Sequence, residues 1–474
     1  MIHVGVTLVL TCPNPNRMMN KLIKYTVKAC LPLALAAQAA LAGQAPPADL
    51  SKVHHIVVIY LENHSFDNLY GLFPGADGLA NAPLSTTRQI DAEGKVYKQL
   101  PRVMDTRNKP AEADPRFPAD LPNQPFDIGK YAPIDHKTGD LVHRFYQHQA
   151  QINGGAMNRF AAVSDAGGLT MGYYDGRNLP LWQYARRYTL ADHFFSAAFG
   201  GSFINHMWLA CACTPRHPNP PAENTIQLDD QGGVIKDGAL TTDGYAVNNI
   251  LSSYTPRSPK AKDPSKVLPP QTQPTLGDRL SDAGISWAWY AGGWNNAVAG
   301  QPDPSFQFHH QPYTYFKRYA DGSSDRAAHL KDEADLMKAI ADGSLPAVAF
   351  YKPVGRQNEH PGDANIAEGE RQAVKILERI ERSPQWPGTV VIVTYDEFGG
   401  YWDHVAPPKL DRWGPGSRVP AIIVSPFSLG GRVDHTVYDT TSILKLIEER
   451  YGVRPLGERD ARANSLSGAL GLLR

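Results

Sequence analysis

The sequence lacks an excess of charge of either sign, since 47 Lys and Arg residues balance 47 Asp and Glu residues. It has no basic tail and no run of lysines, so a nucleic-acid partner has no electrostatic support and we expect none. No internal repeat and no low-complexity tract is present. Hydrophobic residues make up 42% and charged residues 20% of the 474 residues, which is typical of a globular protein.

Long apolar runs are also scarce, and the most extended one lies near the N-terminus. Three lysines between residues 21 and 28 precede the run ACLPLALAAQAALA, which ends in a small-residue cleavage sequence. This is the pattern of a secretory signal, and the run is too short to span a bilayer comfortably. We expect residues 1–42 to be a leader whose natural start is Met18 or Met19. The mature protein would then be periplasmic or secreted, without a stable membrane anchor.

Cysteines are few. Two of the four lie in the predicted leader, and Cys211 and Cys213 lie in the segment LACACTPR. Two cysteines one residue apart seldom form a disulfide, because the short intervening chain strains the bridge geometry. We therefore expect buried thiols at these two positions.

Five short apolar runs, rich in Val and Ile, have the pattern of strands covered on both faces. Between them, GERQAVKILERIERS and TTSILKLIEERYG have apolar residues at helical spacing. This alternation predicts an α/β fold with a largely parallel central sheet sandwiched by helices. The runs are HIVVIYLE (55–62), ISWAWYA (285–291), AVAFYKP (347–353), TVVIVTYDE (389–397) and PAIIVSP (420–426).

Two proline-rich and polar stretches, at about 74–138 and 214–275, interrupt the alternation. They predict long ordered insertions over one domain, residues 43–474, instead of a second core.

Two of the predicted strands end in acidic residues. HIVVIYLE runs into Glu62 and Asn63, and TVVIVTYDE runs into Asp396 and Glu397. Ligands of open α/β sheets gather at the carboxyl ends of strands, so we expect these four side chains to converge. Either pair alone would favour a helix cap or a solvated turn, but two pairs at two strand ends favour a metal. Three carboxylates and one amide oxygen suit one hard divalent ion such as Ca²⁺, Mg²⁺ or Mn²⁺.

The segment GGSFINHMW, residues 200–208, contains a candidate nucleophile. The apolar sequence after Ser202 predicts a helix that begins at or just after the serine, where free N–H groups and the helix dipole favour an anion. Metal coordination is one way to activate a serine hydroxyl. The alternative is an ordinary serine N-cap. Asn205 and His206, on the next turn, could face the same pocket or pack inward.

Several of the 16 histidines could belong to the same site. Singly, each is more often a surface residue or a satisfied core residue. Gathered near a metal and a nucleophile, they could hold phosphoryl oxygens or protonate a leaving alkoxide. Because imidazolium dominates below about pH 6.5, we expect an acidic pH optimum. The histidines in question are His143, His309, His310, His360 and, without an assigned role, His404 next to Asp403.

Three segments of the chain resemble a known family. HIVVIYLENHSFDNLYG, GGSFINHMW and TYDEFGGYWDHVAPP closely resemble, in this order, the bacterial phosphoesterase family that contains respiratory-burst-inhibiting acid phosphatases and the non-zinc phospholipases C. The resemblance covers most of residues 53–451 and implies an alkaline-phosphatase-like fold and a phosphorylated-enzyme mechanism. By position, the resemblance implies that Ser202 is both the nucleophile and a metal ligand. It implies four further metal ligands, Glu62, Asn63, Asp396 and Glu397. It also implies four pocket histidines, His143, His309, His310 and His360.

Two departures favour the acid-phosphatase branch of that family. Phospholipase C members usually have a threonine followed by a Pro-Asn-Arg element at the nucleophile position, whereas this chain has GGSFINH. They are also often exported with a twin-arginine leader, whereas the basic residues of this leader from Met18 onward are all lysines. We therefore expect an exported, metal-dependent acid phosphatase that hydrolyses phosphomonoesters through a phosphoserine.

Two alternatives remain. One is a phospholipase C that cleaves choline phosphodiesters such as phosphatidylcholine, for which WAWYAGGW (287–294) could supply an aromatic cage or, equally, only core packing. The other, and the weaker, is a catalytically silent protein that binds phosphate-bearing ligands.

Overall fold

An eight-stranded sheet lies at the centre of the fold. The computed structural model describes residues 49–258, 263–428 and 430–472, so the predicted leader lies outside the described residues. In chain order, β1 to β8 are His55–Leu61, Thr189–Ala191, Trp287–Ala291, Leu330–Asp332, Val348–Lys352, Thr389–Tyr395, Ala421–Val424 and Arg432–Asp434. Across the sheet the strand order is β4-β3-β5-β1-β6-β7-β2-β8.

Seven of these eight strands run in the same direction. β1 pairs in parallel with β5 and β6, β3 with β4 and β5, and β2 with β8. Strand β7 is antiparallel to both of its neighbours. All of β6 and all but the first residue of β1 are buried, so both faces of the central strands are covered. Two-sided burial explains their continuous Val and Ile runs.

The longer helices pack in two groups. Helix Ser202–Cys211 contacts Leu276–Asp282 and Thr441–Tyr451, and helix Ile366–Glu381 contacts Pro180–Arg187 and Glu333–Asp342. The predicted α/β fold with a largely parallel central sheet is confirmed. In chain order, α1 to α13 are Phe66–Tyr70, Leu84–Thr87, Phe145–Ile152, Phe160–Val163, Pro180–Arg187, Ser202–Cys211, Leu276–Asp282, Trp294–Val298, Ser324–His329, Glu333–Asp342, Ile366–Glu381, Thr441–Tyr451 and Glu458–Arg462.

All five predicted strands are present, with bounds within two residues of the apolar runs. The edge strands β4 and β8, and β2 beside β8, were not predicted from the sequence. Each has only three residues, which is too short for a recognisable apolar run.

Among the described residues of the stretches 74–138 and 214–275, which leave out 259–262, regular structure is limited to short elements. Apart from the four-residue helix α2 and several 3-10 turns, they contain strands of two or three residues. Residues Leu50–Leu472 form one compact unit that includes both stretches. Among the described residues, no helix combines the length and apolarity needed to cross a bilayer. The short strands of the two stretches are Met104–Asp105, Glu112–Ala113, Phe126–Asp127, Gln227–Leu228, Val234–Lys236, Leu251–Ser252 and Val267–Leu268.

The expectation of two buried thiols is wrong, because Cys211 and Cys213 form a disulfide. Ala212, between them, ends helix α6 in the left-handed conformation, with φ 46° and ψ 35°. This turn brings the two Cα atoms to 5.1 Å, inside the usual range of about 4.4–6.8 Å for disulfides.

Candidate active site

The central sheet brings the two predicted acidic pairs together. Strands β1 and β6 are neighbours in a parallel register that pairs Leu61 with Tyr395. The residues that follow β1 therefore lie beside those that follow β6, at the carboxyl ends of both strands. All four side chains are fully buried: Glu62, Asn63, Asp396 and Glu397.

Each carboxylate that follows β6 has one oxygen held by a backbone N–H group. The N–H of Glu397 donates to Asp396 Oδ1 at 2.9 Å, and the N–H of Gly399 donates to Glu397 Oε2 at 2.7 Å. The other oxygens, Asp396 Oδ2 and Glu397 Oε1, are buried and have no hydrogen-bond partner among the described residues. Such oxygens are costly to bury as charged groups, and a bound cation would satisfy them.

Burial and mutual repulsion perturb these carboxyl groups. Burial, with the Glu62 carboxylate, raises the pKa of Asp396 to about 7, and burial with Asp396 raises the pKa of Glu397 well above its usual value. Burial acts on Glu62 in the same sense, but His310 and Lys352 outweigh it and hold the pKa of Glu62 well below its usual range. A divalent cation among the carboxylates would remove the repulsion.

Ser202 is the first residue of helix α6 and does not cap it. Gly201 is the N-cap, and no side chain among the described residues caps the helix. The Ser202 Oγ atom lies 3.5 Å from Glu62 Oε2 and 3.5 Å from Asn63 Oδ1. His206, one turn on, donates from Nδ1 to the Ser202 carbonyl at 2.7 Å. The interpretation of Ser202 as an N-cap is therefore wrong: its hydroxyl faces the carboxylates at the positive end of a ten-residue helix.

The turn before Ser202 requires glycine. Gly200 has φ +91°, and a Cβ atom there would lie 2.7 Å from the backbone nitrogen of Phe145. Asn205 closes the turn, because its Oδ1 accepts from the N–H of Ala198 at 2.9 Å and its Nδ2 donates to the Gly201 carbonyl at 3.1 Å. Asn205 therefore shapes the turn that presents the serine.

The four predicted histidines line one cavity together with Ser202 and Glu62. The cavity has a volume of 470 Å³. His310 Nε2 lies 2.6 Å from Glu62 Oε1, and His360 Nε2 lies 3.8 Å from Glu62 Oε2. The ring nitrogens of His309 make no hydrogen bond or ion pair with any part of the chain that the structure describes. The structure thus gathers His143, His309, His310 and His360 around the serine.

The cavity histidines differ in charge. Burial lowers the pKa of His309 and of His310. Burial also opposes the charged form of His360, but Asp140 and Glu62 overcome it and raise the pKa of His360 to about 9. His360 is therefore cationic at neutral pH. The predicted acidic optimum then depends on protonation of His309 or His310 and stays a prediction.

Lys352 was missed by the sequence reasoning. It is the last residue of β5 and fully buried, with its Nζ atom 2.7 Å from Glu62 Oε1 and donating to the Leu61 carbonyl at 3.2 Å. The signal was a lysine at the carboxyl end of the apolar run AVAFYKP, where a strand covered on both faces rarely has a charge.

His148 was missed as well. Its Nδ1 accepts from the N–H of Gly200 at 3.0 Å, so the protonated Nε2 donates to Ser417 Oγ at 2.9 Å. The fully buried ring stacks on Phe398 with centroids 3.6 Å apart. His148 thus connects the turn before Ser202 with the residue after Glu397. Nothing in its local sequence distinguishes it from the other histidines.

Asp403 and His404 do not line the cavity. Asp403 Oδ1 accepts from Arg418 Nε at 2.8 Å, and His404 Nδ1 lies 2.6 Å from Asp67 Oδ2. They belong to a buried ionic network with Asp67 and Arg418, outside the cavity.

Comparison with known proteins identifies the family. The curated relatives of this chain include phospholipase C A of Mycobacterium tuberculosis strain H37Rv. The two are 26% identical over 444 residues, which cover 86% of this chain and 74% of the relative. Another is the non-hemolytic phospholipase C of Pseudomonas aeruginosa, 23% identical over 465 residues that cover 89% of this chain and 57% of the relative. The chain thus spans little more than half the length of the Pseudomonas protein.

Among solved structures, the chain is similar to a protein in the alkaline phosphatase superfamily from Vibrio parahaemolyticus. The TM-score is 0.33 at 11% identity, over 70% of this chain and 73% of that one. For the phosphonate monoester hydrolase of Silicibacter pomeroyi the TM-score is 0.32 at 11% identity, over 62% and 72%. Similarity at this level adds nothing about function. The phosphoesterase family model, in contrast, matches residues 53–454, and the protein therefore belongs to the phosphoesterase family.

Proposed function

We propose that this protein is an exported, metal-dependent phosphatase that hydrolyses phosphomonoesters with Ser202 as the nucleophile. One observation carries the proposal: the Ser202 hydroxyl lies 3.5 Å from the side-chain oxygens of Glu62 and Asn63, on the wall of a cavity lined by four histidines. Membership of the phosphoesterase family supports hydrolysis of phosphoric esters.

The donor set fits one hard divalent ion such as Ca²⁺, Mg²⁺ or Mn²⁺, because every ligand atom is an oxygen and Asp396 Oδ2 and Glu397 Oε1 have no hydrogen-bond partner in the described part of the chain. When bound, the ion would lower the pKa of the serine hydroxyl and stabilise charge on the phosphoryl group. The residues that would hold it are Glu62, Asn63, Ser202, Asp396 and Glu397.

The chain's own groups supply the remaining chemistry. The Ser202 oxygen attacks phosphorus in line at the N-terminus of α6, where N–H groups and the dipole stabilise negative charge. His360, cationic at neutral pH, donates to the phosphoryl oxygens. His309, whose ring nitrogens have no described protein partner, gives a proton to the leaving alkoxide and later takes one from the water that cleaves the phosphoserine. His143 lies on the same wall.

The cavity favours a monoester with an anionic or polar leaving group. Arg107 and Lys109 line its wall, and the described lining residues include no Trp, Tyr or Phe. The rings of Trp287, Trp289 and Trp294 in the segment WAWYAGGW are buried in the core. That segment therefore offers no aromatic cage for choline in this cavity.

A phospholipase C is the second candidate, and the names of the relatives favour it. Asp140 and Asp363 on the cavity wall could pair with a quaternary ammonium group. The third hypothesis is a catalytically silent protein that binds phosphate-bearing ligands. Any hydrolysis of a phosphate ester that depends on Ser202 would exclude it.

The test compares hydrolysis of p-nitrophenyl phosphate and p-nitrophenylphosphorylcholine at about pH 6. Ser202→Ala should lower the rate by at least about three orders of magnitude. Ser428→Ala is a matched control, because its hydroxyl donates to the Ile423 carbonyl at 2.8 Å and does not line the cavity. Preference for the choline diester would make the protein a phospholipase C. Wild-type rates in Ser202→Ala would overturn the mechanism, as would net inversion at a chiral phosphorus.

A further inference from the structure

A second cluster of histidines and carboxylates lies at the edge of the sheet. Strands β2 and β8 are parallel neighbours in a register that pairs Ala191 with Asp434. Asp192 and His193 follow β2, and His435 follows β8, so the three side chains meet at the carboxyl ends of these two strands. The residues around Ser202 follow β1 and β6, and β7 lies between β6 and β2. The cluster is therefore separate from the cavity.

Asp192 contacts both imidazoles. Its Oδ1 lies 3.0 Å from His193 Nδ1, and its Oδ2 lies 2.8 Å from His435 Nδ1. One ligand atom from each of the three residues lies within 4.8 Å of the other two. Ligand atoms of a tetrahedral zinc ion, with bonds of about 2.0–2.2 Å, are roughly 3.3 Å apart. Small side-chain adjustments would therefore place all three around one ion.

Both ring nitrogens of His193 face a carboxylate. Nδ1 faces Asp192, and Nε2 lies 3.2 Å from Asp77 Oδ2. A neutral imidazole has only one N–H group, so one of these contacts lacks a proton unless the ring is charged. If Nε2–H donates to Asp77, the Nδ1 lone pair points at the Asp192 carboxylate. A cation between them satisfies the Nδ1 lone pair and the carboxylate oxygen together. A carboxylate that orients a histidine in this way is usual around metal ions.

The cluster is accessible to an ion from solvent. The Asp192 side chain is buried, whereas the side chain of His193 is 21% exposed and that of His435 is 61% exposed. The N–H of Asp77 donates to Asp192 Oδ2 at 2.7 Å, which holds the buried carboxylate in place. The fixed carboxylate lies beneath two histidines that solvent can reach.

We propose that Asp192, His193 and His435 bind a zinc ion or a similar divalent transition-metal ion. Two imidazoles and one carboxylate suit such ions, whereas the all-oxygen set around Ser202 suits Ca²⁺ or Mg²⁺. The ion ties the end of β2 to the end of β8 and, through Asp77, to the chain segment that follows helix α1. Its role is structural, and the site takes no part in the hydrolysis proposed above.

Metal analysis of the full chain tests the proposal. The protein is stripped with a chelator and reloaded with Zn²⁺ in the presence of excess Mg²⁺. Wild type should retain one more Zn²⁺ per chain than the His193→Gln/His435→Gln double variant, and Zn²⁺ should raise the melting temperature of wild type but not of the double variant. His136→Gln is a matched control, because His136 is exposed and its ring pairs with Asp135, at 2.9 Å, away from the proposed site. Equal zinc content in wild type and double variant would overturn the proposal.

Two further measurements keep the test decisive. His435→Gln alone removes an exposed ligand and, because it is exposed, leaves the fold intact; it too should lose the additional Zn²⁺. Hydrolysis of p-nitrophenyl phosphate should be unchanged in both variants, which shows that the zinc lost did not come from the cavity. Co²⁺ at this site should give wild type a visible absorption band typical of nitrogen ligation, and the double variant should lack that band. The same spectrum in wild type and the double variant would contradict the assignment of Asp192, His193 and His435 as metal ligands.

Discussion

The buried ion pair between Lys352 and Glu62 permits a quantitative test of the electrostatics around Ser202. Lys352 Nζ lies 2.7 Å from Glu62 Oε1, and both side chains are fully buried. At an effective dielectric constant of about 20, two unit charges at that separation attract each other by about 6 kcal/mol. Removing one member leaves a buried charge without compensation, which costs about 3–5 kcal/mol.

We therefore expect Lys352→Met to lower the free energy of unfolding by about 3–5 kcal/mol. The Glu62→Gln/Lys352→Met double variant should be more stable than Lys352→Met alone, because no uncompensated charge remains at the pair. Urea unfolding with a chelator present, at about pH 8, measures both. At that pH His310, whose pKa is lowered by burial, is neutral and cannot substitute for the lysine. His360 stays largely cationic at 3.8 Å from Glu62 Oε2 and compensates part of the charge, so the loss should lie toward the lower end of this range.

Lys338→Met provides the matched control. Lys338 forms an ion pair with Asp342 on the surface, and exposed pairs contribute little, so its unfolding midpoint should stay close to that of wild type. Two results would refute the idea that Lys352 compensates the Glu62 carboxylate. One is that the changes in unfolding free energy of Glu62→Gln and Lys352→Met simply add in the double variant. The other is that Lys352→Met is as stable as wild type.

His148→Ala should lower kcat for p-nitrophenyl phosphate by about 10²-fold with little change in KM, and His148→Asn, which keeps an acceptor for the Gly200 N–H, should recover part of it; an unchanged kcat in the alanine variant would contradict this. Burial raises the pKa of Glu370 to about 8. The folded state then binds this proton more tightly than the unfolded chain, so the free energy of unfolding should fall from about pH 4.5 to about pH 8. Glu370→Gln should weaken that dependence in urea unfolding, and parallel pH profiles would contradict it. Chelation should abolish hydrolysis and Ca²⁺, Mg²⁺ or Mn²⁺ should restore it, whereas full activity after exhaustive chelation would argue against a metal.

The strands and the acidic pairs could be predicted from local sequence. A strand covered on both faces must be apolar along its length, so β1 and β6 appear as continuous runs, and the polar residues that end them mark the edge where ligands gather. The glycines before Ser202 could be read in the same way, because a left-handed turn leaves a local signature. The three-residue strands β2, β4 and β8 leave none.

The contacts that complete the site could not be predicted, because they join residues far apart in the chain. His148 contacts Gly200 and Phe398, and Lys352 contacts Glu62, because the strand order and the packing of helices bring them together. Hydrophobic periodicity in the sequence predicts single helices and strands but not how they are arranged. The disulfide of Cys211 depended on one left-handed residue at a helix end, and the cluster of Asp192 depended on an edge strand too short to detect.

The sequence by itself determined the α/β fold class, the family and the residues that could act as nucleophile, metal ligands and pocket histidines. These follow from burial patterns and from side-chain types at the ends of strands, which are local properties of the chain. Only the tertiary structure decided how the residues are used: it turned the Ser202 hydroxyl toward Glu62, placed a buried lysine beside that carboxylate and packed the Trp287 and Trp289 rings into the core. Charges, cavities and hydrogen bonds depend on distances between elements, and those distances exist only in the folded chain.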